Sequence, residues 1–169
     1  IQSLVKLSRM ESGIIAVHSE DTTIKQMLES IQQQFNVKVR EKNITLSLCD
    51  TDLHVRCDSK WTVEALGNIV DNAIKYTACG GNVQIKVEHY SFFVKIDIID
   101  DGIGIEKEEI PKIFGRFYRS LSVADQPGVG IGLFLAREII QAQKGYIKVT
   151  SKRGKGSTFS VFLPIAKKE

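Results

Sequence analysis

The chain has 169 residues, of which 43% are hydrophobic and 25% are charged, so it is long enough and apolar enough to fold around its own core. Its net charge of +3, from 23 basic and 20 acidic residues, is too small to indicate nucleic-acid binding. The three cysteines form no CxxC pair and the three histidines lie far apart, which argues against a disulfide framework or a zinc site. No apolar run reaches the roughly 18 residues that a membrane-spanning helix needs.

The amino terminus has neither a Met nor a signal-peptide pattern. We therefore expect a cytoplasmic portion of a longer protein, and that parent protein could be bound to a membrane. We also expect this portion to be monomeric. Residues 1–13 have the apolar spacing of a helix that has been cut and that Gly13 stops. Residues 14–169 would form the main domain.

The apolar spacing in the first half predicts two helices and a strand. The first helix is capped by Asp21 or Thr22 and carries apolar residues at helical spacing. The second is capped by Asp58 or Ser59 and continues to about Tyr76, before Gly80 and Gly81. Between the helices, apolar residues alternate with polar ones, as in a strand with one wet face. The apolar positions are Ile24, Met27, Leu28, Ile31 and Phe35 in the first helix, and Ile44, Leu46 and Leu48 in the strand.

The second half predicts strands around one further helix. Alternating residues in 83–87 and 94–98 indicate a hairpin, and a short helix is expected around residues 106–114. A helix over 133–143 ends at Gly145, and two strands close the chain at 146–150 and 158–163. This order favours an α+β two-layer sandwich, with three main helices on one face of a mixed, largely antiparallel sheet.

Four polar residues share one face of the helix that ends near Tyr76. Asn68, Asn72, Lys75 and Tyr76 follow the i, i+4, i+7, i+8 spacing. Asparagine is a mediocre helix former, so two of them one turn apart need a reason. An amide oxygen suits Mg²⁺ and a lysine supplies a point charge for phosphate, although a solvent-facing polar stripe is the other interpretation.

The segment Asp100–Gly104 follows the second strand of the hairpin. Asp100 shares the parity of Ile96 and Ile98, so its carboxylate is predicted to point into the core layer, where it needs a partner. A ligand N–H, such as the adenine amino group, would supply one. Asp101 falls on the opposite face and is better explained as a turn residue. Gly102 and Gly104 permit close backbone approach.

A glycine-rich turn runs straight into the helix that begins near Leu133. Gly128, Gly130 and Gly132 expose N–H groups at a helix N-terminus, which is an anion site suited to a triphosphate. The turn lacks the Gly-Lys-Ser/Thr ending of a P-loop, and no strand leads plainly into it as in a dinucleotide fingerprint.

Two arginines flank an aromatic pair upstream of that turn. Arg116 and Arg119 enclose Phe117 and Tyr118 in a stretch with few core signals, as in a lid with phosphate-seeking guanidinium groups. A further glycine-containing segment, Gly154 to Thr158, precedes the last strand and also fits a tight hairpin with basic decoration.

Five short segments follow one another along the chain: NIVDNAIKY, DDGIG, IFGRFY, GVGIGL and GKGSTF. They resemble the N, G1, F, G2 and G3 boxes of the histidine kinase ATPase family, over residues 58–163. The leading LSRMESG is similar to the end of the second helix in that family's dimerisation and phosphoacceptor hairpin. The resemblance implies the Bergerat fold, which DNA gyrase, heat-shock chaperone ATPases and mismatch-repair ATPases share, with ATP and Mg²⁺ as ligands.

The resemblance also implies residue roles. Asn68, Asn72 and Lys75 would be the catalytic set, in which Asn72 coordinates Mg²⁺ and Asn68 lies beside the ion and the phosphates. Asp100 would accept a hydrogen bond from the adenine amino group. The nucleotide would further contact Tyr76, Gly102, Gly104, Ile105, Arg116, Phe117, Arg119, Gly128, Gly130, Gly132, Leu133 and Thr158, with Phe114 as a second lid anchor.

Two positions depart from related patterns. In the gyrase-like branch a glutamate one turn before the metal-binding asparagine activates water, whereas this chain has Asn68, which cannot act as a base. The resemblance therefore implies transfer to a histidine rather than efficient hydrolysis. Gly115 stands where the F box often has a polar residue, so a loose lid is expected.

The phosphoacceptor histidine of the family is missing from this sequence. His18 follows LSRMESG instead of preceding it, and His54 and His89 lie in or beside predicted strands. We therefore expect an ATP-binding phosphoryl-donor domain of a two-component sensor histidine kinase that does not phosphorylate itself. Its partners would be the phosphoacceptor helical hairpin of the same parent protein and a response regulator, and not nucleic acid. The alternatives are a gyrase-like or chaperone-like ATPase module and a degenerate binding module without catalysis.

Overall fold

The computed structural model describes Val5, residues 16–115, Tyr118 and residues 131–166. These residues contain three helices, α1 (Ile24–Glu41), α2 (Ser59–Tyr76) and α3 (Gly132–Ala142). Their strands are β1 (Glu20–Thr23), β2 (Thr45–Leu48), β3 (His54–Cys57), β4 (Asn82–Tyr90), β5 (Phe93–Asp100), β6 (Tyr146–Lys152) and β7 (Gly156–Pro164). The predicted boundary between residues 1–13 and the main domain lies outside the described ranges.

The main sheet has five strands in the order β2-β4-β5-β7-β6. Strand β2 runs parallel to β4, and every other neighbouring pair is antiparallel. The predicted α+β sandwich with a mixed, largely antiparallel sheet is therefore confirmed. The predicted hairpin is β4–β5, in which Val83 lies opposite Asp100.

The core lies between the helices and one face of the sheet. Alternate residues of the central strands point into it and are almost fully buried, as the period-two pattern predicts. The apolar stripes of the helices cover them, which places all three helices on the same face. The buried strand residues are Val83, Ile85, Val94, Ile96, Ile98, Phe159, Val161 and Leu163.

Two short strands escape prediction from the sequence. Strands β1 and β3 pair antiparallel, with Asp21 opposite Arg56, and form a separate two-stranded sheet beside the core. Because Asp21 and Thr22 belong to β1, neither caps the first helix. The N-cap of α1 is Thr23, whose side chain makes no capping hydrogen bond.

The second helix begins as predicted. Asp58 is the N-cap of α2, and its carboxylate accepts a hydrogen bond from the Trp61 backbone N–H at 3.1 Å. The short helix expected around residues 106–114 is reduced to a 3₁₀ helix, Ile110–Lys112. Pro111 lies in the first turn of this element. In a helix that began near residue 106, Pro111 would be an interior residue and would lack the N–H needed for the hydrogen bond to the carbonyl four residues earlier. None of the described helices is long and apolar enough to cross a membrane.

Candidate functional site

Helix α2 presents its predicted polar face at the edge of the core. Asn68 and Asn72 are half-buried there, while the apolar stripe beside them is fully covered. The Asn68 Nδ2 donates to the Gly132 carbonyl at 3.2 Å and so ties α2 to the start of α3. Within the described residues, the Asn72 amide has no hydrogen-bond partner. Its oxygen is therefore available to a ligand.

Ion pairs hold the lysine on this face of α2. The Lys75 Nζ lies 3.2 Å from one carboxylate oxygen of Asp71, an i, i+4 pair. The other carboxylate oxygen of Asp71 is 2.8 Å from the Lys38 Nζ on α1. Because these side chains are between 26% and 56% exposed, solvent screens the pairs and a phosphate group can compete for the lysine.

The Asp100 carboxylate points into the helix-covered layer, as its parity predicts. Its residue is only 8% exposed, and its Oδ1 accepts a hydrogen bond from the Gly102 backbone N–H at 2.9 Å. Burial raises the pKa of Asp100, while hydrogen bonds from the backbone N–H groups of Gly102 and Ser157 partly offset that effect and the charge of Asp101 adds to it. An ionised carboxylate has about four acceptor positions, so this one retains capacity for a ligand N–H.

Asp101 has a structural role on the other side of the same turn. It is exposed, and its two carboxylate oxygens accept from the Asn82 backbone N–H at 2.8 Å and from the Asn82 Nδ2 at 2.9 Å. These two hydrogen bonds to Asn82 lower the pKa of Asp101. The two adjacent carboxylates therefore divide their tasks, one closing the turn and the other facing the site.

Two glycines allow the loop after Asp100 to be packed between other backbone segments. A Cβ on Gly102 would lie 2.3 Å from the Tyr76 carbonyl oxygen. Gly104 has φ +71°, and a Cβ there would lie 2.1 Å from the Lys152 carbonyl oxygen. Between them, the Ile103 N–H donates to the Tyr76 carbonyl at 3.2 Å. The loop is thus fixed against the end of α2 on one side and the β6–β7 turn on the other.

Ser157 is the residue of the last strand that the structure places beside Asp100. The register pairs Asp100 with Ser157 and Ile99 with Thr158, so the Thr158 side chain points to the opposite face of the sheet. The residues predicted from the sequence include Thr158 but not Ser157. The parity of Phe159, a core residue, was the signal that could have identified it, because Ser157 shares that parity.

Two serine hydroxyl groups form a small hydrogen-bond network beside the loop that follows Asp100. The Ser151 Oγ accepts a hydrogen bond from the Ile105 N–H at 2.8 Å and lies 2.7 Å from the Ser157 Oγ. Ile105 is half-buried and packs against the core. The network connects the loop after Asp100 to both closing strands.

The described part of the glycine turn lies directly beside α2. Gly132 is the first residue of α3, and Leu133, which follows it, packs partly buried against the core. A Cβ on Gly132 would lie 3.8 Å from the Asn68 Cβ, an ordinary contact distance. The predicted ligands Gly128, Gly130, Arg116, Phe117 and Arg119 fall outside the described residues.

The predicted lid anchor Phe114 is held in the core. It is 8% exposed and meets Phe159 edge to face at 6.3 Å between ring centroids. The Arg137 guanidinium lies over its ring, 5.0 Å from the centroid. This end of the predicted lid is therefore fixed to both α3 and β7.

His54 and His18 make their contacts away from this site. His54 Nδ1 lies 2.6 Å from the Asp21 carboxylate, at the two-stranded sheet. The backbone N–H of His18 donates to Asp58, at the opposite end of α2 from Asn72. Among the described residues, no group of three or more His, Cys, Asp or Glu could hold a metal ion.

Comparison with known proteins gives a consistent family. The family model described as histidine kinase-, DNA gyrase B-, and HSP90-like ATPase matches residues 57–167. Sensor histidine kinase WalK of Bacillus subtilis is 34% identical, covering 97% of this chain and 28% of WalK. Sensor protein kinase PmrB of Pseudomonas aeruginosa is 30% identical, covering 97% of this chain and 35% of PmrB. The chain thus spans only about a third of these relatives' length.

Solved structures agree with that assignment. The mycobacterial sensor histidine kinase MprB is similar with a TM-score of 0.77 and 25% identity, covering 88% of this chain and 98% of that one. The Acinetobacter baumannii histidine kinase AdeS has a TM-score of 0.77 and 25% identity, covering 98% of this chain and 77% of that one. The match over residues 57–167 is more than half of the chain. The chain therefore belongs to the histidine kinase-, DNA gyrase B-, and HSP90-like ATPase family.

Proposed function

We propose that the chain binds ATP and donates its γ-phosphate to a histidine of a separate phosphoacceptor helix, as the nucleotide-binding domain of a two-component sensor histidine kinase. The observation that carries the proposal is the buried carboxylate of Asp100. This carboxylate is buried beside the loop of Gly102 and Gly104, and it keeps acceptor capacity after accepting the hydrogen bond from the Gly102 backbone N–H. An adenine amino group supplies the N–H that such a carboxylate needs.

Different residues would contact the adenine and the phosphates of ATP. The adenine would lie against Asp100 and the loop of Gly102 and Gly104, supported by Ser157 and by the Ser151 hydroxyl. The phosphates would extend along α2 toward Asn72, Lys75 and Tyr76. In this arrangement the Lys75 ammonium exchanges part of its ion pair with Asp71 for a phosphate oxygen. The predicted roles of Arg116, Arg119, Phe117, Gly128 and Gly130 stay predictions.

Asn72 fits Mg²⁺ as a single hard ligand. Its amide has no partner among the described residues, and Mg²⁺ commonly takes few protein ligands and completes its shell with water and phosphate oxygens. Asp71, the adjacent carboxylate, is already paired with two lysines. When bound, the ion would neutralise phosphate charge, while Asn72 and Lys75 hold the phosphates in place.

Asn68 favours phosphoryl transfer to an amino-acid acceptor over hydrolysis. It occupies the position one turn before Asn72, and its Nδ2 is engaged with the Gly132 carbonyl at 3.2 Å. An amide cannot take a proton from water at neutral pH. A histidine nitrogen is nucleophilic without such a base, so positioning and charge neutralisation are sufficient for the transfer. Two curated relatives are named as sensor kinases, which supports the same choice.

The partners follow from this reaction. The acceptor would be the helical hairpin of the parent protein, and a response regulator would take the phosphoryl group from it in turn. We infer a cytoplasmic location for the domain, because ATP and the response regulator are cytoplasmic.

The test supplies the parent protein's phosphoacceptor hairpin in trans with γ-labelled Mg-ATP. We expect acid-labile, base-stable phosphate on the hairpin, and none on a matched hairpin whose acceptor histidine is replaced by alanine. Absence of transfer under conditions where Mg-ATP binds would contradict the proposal. Steady release of inorganic phosphate without the hairpin would favour a gyrase-like ATPase instead.

A further inference from the structure

The carboxyl end of α2 has an unusual set of caps. Like every helix, it leaves its last four carbonyls, from Ala73 to Tyr76, without intrahelical partners. The chain does not turn into a left-handed glycine here, since the C-cap is Thr77 in an extended conformation, with φ −95° and ψ 133°. The partners of these carbonyls must therefore come from elsewhere.

Three different groups satisfy all four carbonyls. The Thr77 Oγ1 donates to the Ala73 carbonyl at 2.7 Å, and the Ile103 N–H of the glycine loop donates to the Tyr76 carbonyl. The Lys42 ammonium donates to the two carbonyls between them, Ile74 at 2.8 Å and Lys75 at 3.2 Å. One side chain from outside the site thus holds the backbone of the turn that carries Lys75 and Tyr76.

Lys42 is itself fixed to the same region through its backbone. It is the C-cap of α1 and is half-buried, and its carbonyl accepts from the Gly80 N–H at 3.0 Å in the segment that follows α2. A cation at the carboxyl end of a helix is stabilised by the helix dipole, and hydrogen bonds from a charged donor are stronger than neutral ones. Lys42 therefore joins the ends of α1 and α2.

We propose that Lys42 is a positioning residue of the nucleotide site. By holding the last turn of α2, it fixes the Tyr76 carbonyl against which the Ile103 N–H and Gly102 pack, and so fixes the adenine loop relative to Lys75. It acts through these residues, since its ammonium is directed to backbone carbonyls. This inference rests on the proposed function for its effect on ATP, but its effect on the loop does not require a ligand.

The experiment compares Lys42→Met, Lys42→Arg and the control Lys25→Met. Lys25 lies about 25 Å away on α1, at a rise of about 1.5 Å per residue, and its ammonium is 3.3 Å from the exposed Asp50 carboxylate. Residue-level amide exchange is measured without nucleotide, and Mg-ATP affinity is measured by calorimetry. For Lys42→Met we expect exchange at Ile103 to accelerate about tenfold relative to β6 and β7 amides, and affinity to fall about five- to tenfold.

Lys42→Arg, which keeps the charge and its donors, should restore most of both losses, and Lys25→Met should change neither. Parent-like exchange at Ile103 in Lys42→Met would overturn the assignment. So would a uniform acceleration across the sheet, because that reports global stability, or an unchanged affinity. Failure of the unsubstituted chain to bind Mg-ATP would instead overturn the proposed function, while the exchange at Ile103 would still decide whether Lys42 holds the loop.

Discussion

The adenine side and the phosphate side of the candidate site are built differently. On the adenine side, the loop from Asp100 to Gly104 is fixed by backbone contacts with the end of α2 and with the β6–β7 turn. On the phosphate side, Asn72 has no partner among the described residues, and Lys75 is held by an ion pair with Asp71 that solvent screens. In the proposed complex with ATP, the adenine side is therefore preformed, whereas the charge of the phosphates would arrange the other side.

Under the proposed function, this difference separates recognition of the base from transfer of the phosphoryl group. A rigid loop lowers the cost of ordering and fixes the direction of a hydrogen bond, so it selects the base. Phosphoryl transfer requires groups that can follow the charge as it moves to the acceptor, and exposed or unpartnered side chains can do so. Substitutions should therefore have large effects on the adenine side and small, charge-dependent effects on the phosphate side.

The largest effect is expected at Gly104. Alanine there would need a positive φ and would place its Cβ against the Lys152 carbonyl, so we expect a loss of about 3 kcal/mol or more in the free energy of unfolding. ATP binding should become undetectable.

Gly154→Ala is the matched control, because Gly154 also has positive φ but its Cβ would meet no atom within 4 Å. That variant should lose only about 1 kcal/mol and keep its nucleotide. Denaturant unfolding and ATP titration measure both, and equal losses would contradict the close packing of the loop.

A moderate effect is expected from titrating Asp100. Its pKa is raised in the folded chain because of burial, so stability relative to Asp100→Asn should fall as pH rises from the ordinary aspartate pKa through the raised value. Above that value the penalty is complete and the difference is constant. The ionised form accepts the adenine N–H, so the affinity advantage over Asp100→Asn should change in the opposite direction and be lost as pH falls through the same value. Thermal unfolding measures the stability trend with pH, and calorimetry measures the affinity trend. If stability and affinity, each relative to Asp100→Asn, changed in the same direction with pH, Asp100 would not be the acceptor of the adenine N–H.

The smallest effect is expected from Asp71→Asn. The variant removes the ion pairs with Lys38 and Lys75, but exposed pairs contribute less than about 1 kcal/mol. We expect nearly unchanged unfolding and an ATP affinity within about threefold of the unsubstituted chain, since the released lysine can still meet phosphate. Lys75→Met, which removes the ammonium itself, is the contrasting variant and should weaken ATP more than ADP. A large loss in Asp71→Asn would show that the phosphate side is also preformed.

Local patterns predicted the elements that position the site. Period-two alternation placed Asp100 in the buried layer, and a carboxylate next to an apolar run identified the N-cap of α2. Both signals depend on residues close in sequence, which is where such patterns are reliable. The same parity separates Ser157, on the Asp100 face of the sheet, from Thr158 on the opposite face, and the role of Thr158 in nucleotide binding stays a prediction.

Long-range pairing was beyond the reach of these patterns. Strands β1 and β3 have four residues each and are stabilised by one another across about 30 intervening positions, so neither has a strong local signature. The Lys42 ammonium reaches carbonyls 32 and 33 residues away in sequence. A lysine near a helix end gives no indication of which other helix it caps.

The most direct test titrates ATP into the unsubstituted chain, Asp100→Asn and Asn72→Ala, each with Mg²⁺ and with a chelator. We expect Asp100→Asn to lose about tenfold or more in affinity under both conditions, because the lost acceptor faces the base. Asn72→Ala should lose affinity with Mg²⁺ and match the unsubstituted chain without it. If Asp100→Asn bound ATP as tightly as the unsubstituted chain, the assignment of the adenine site would be wrong.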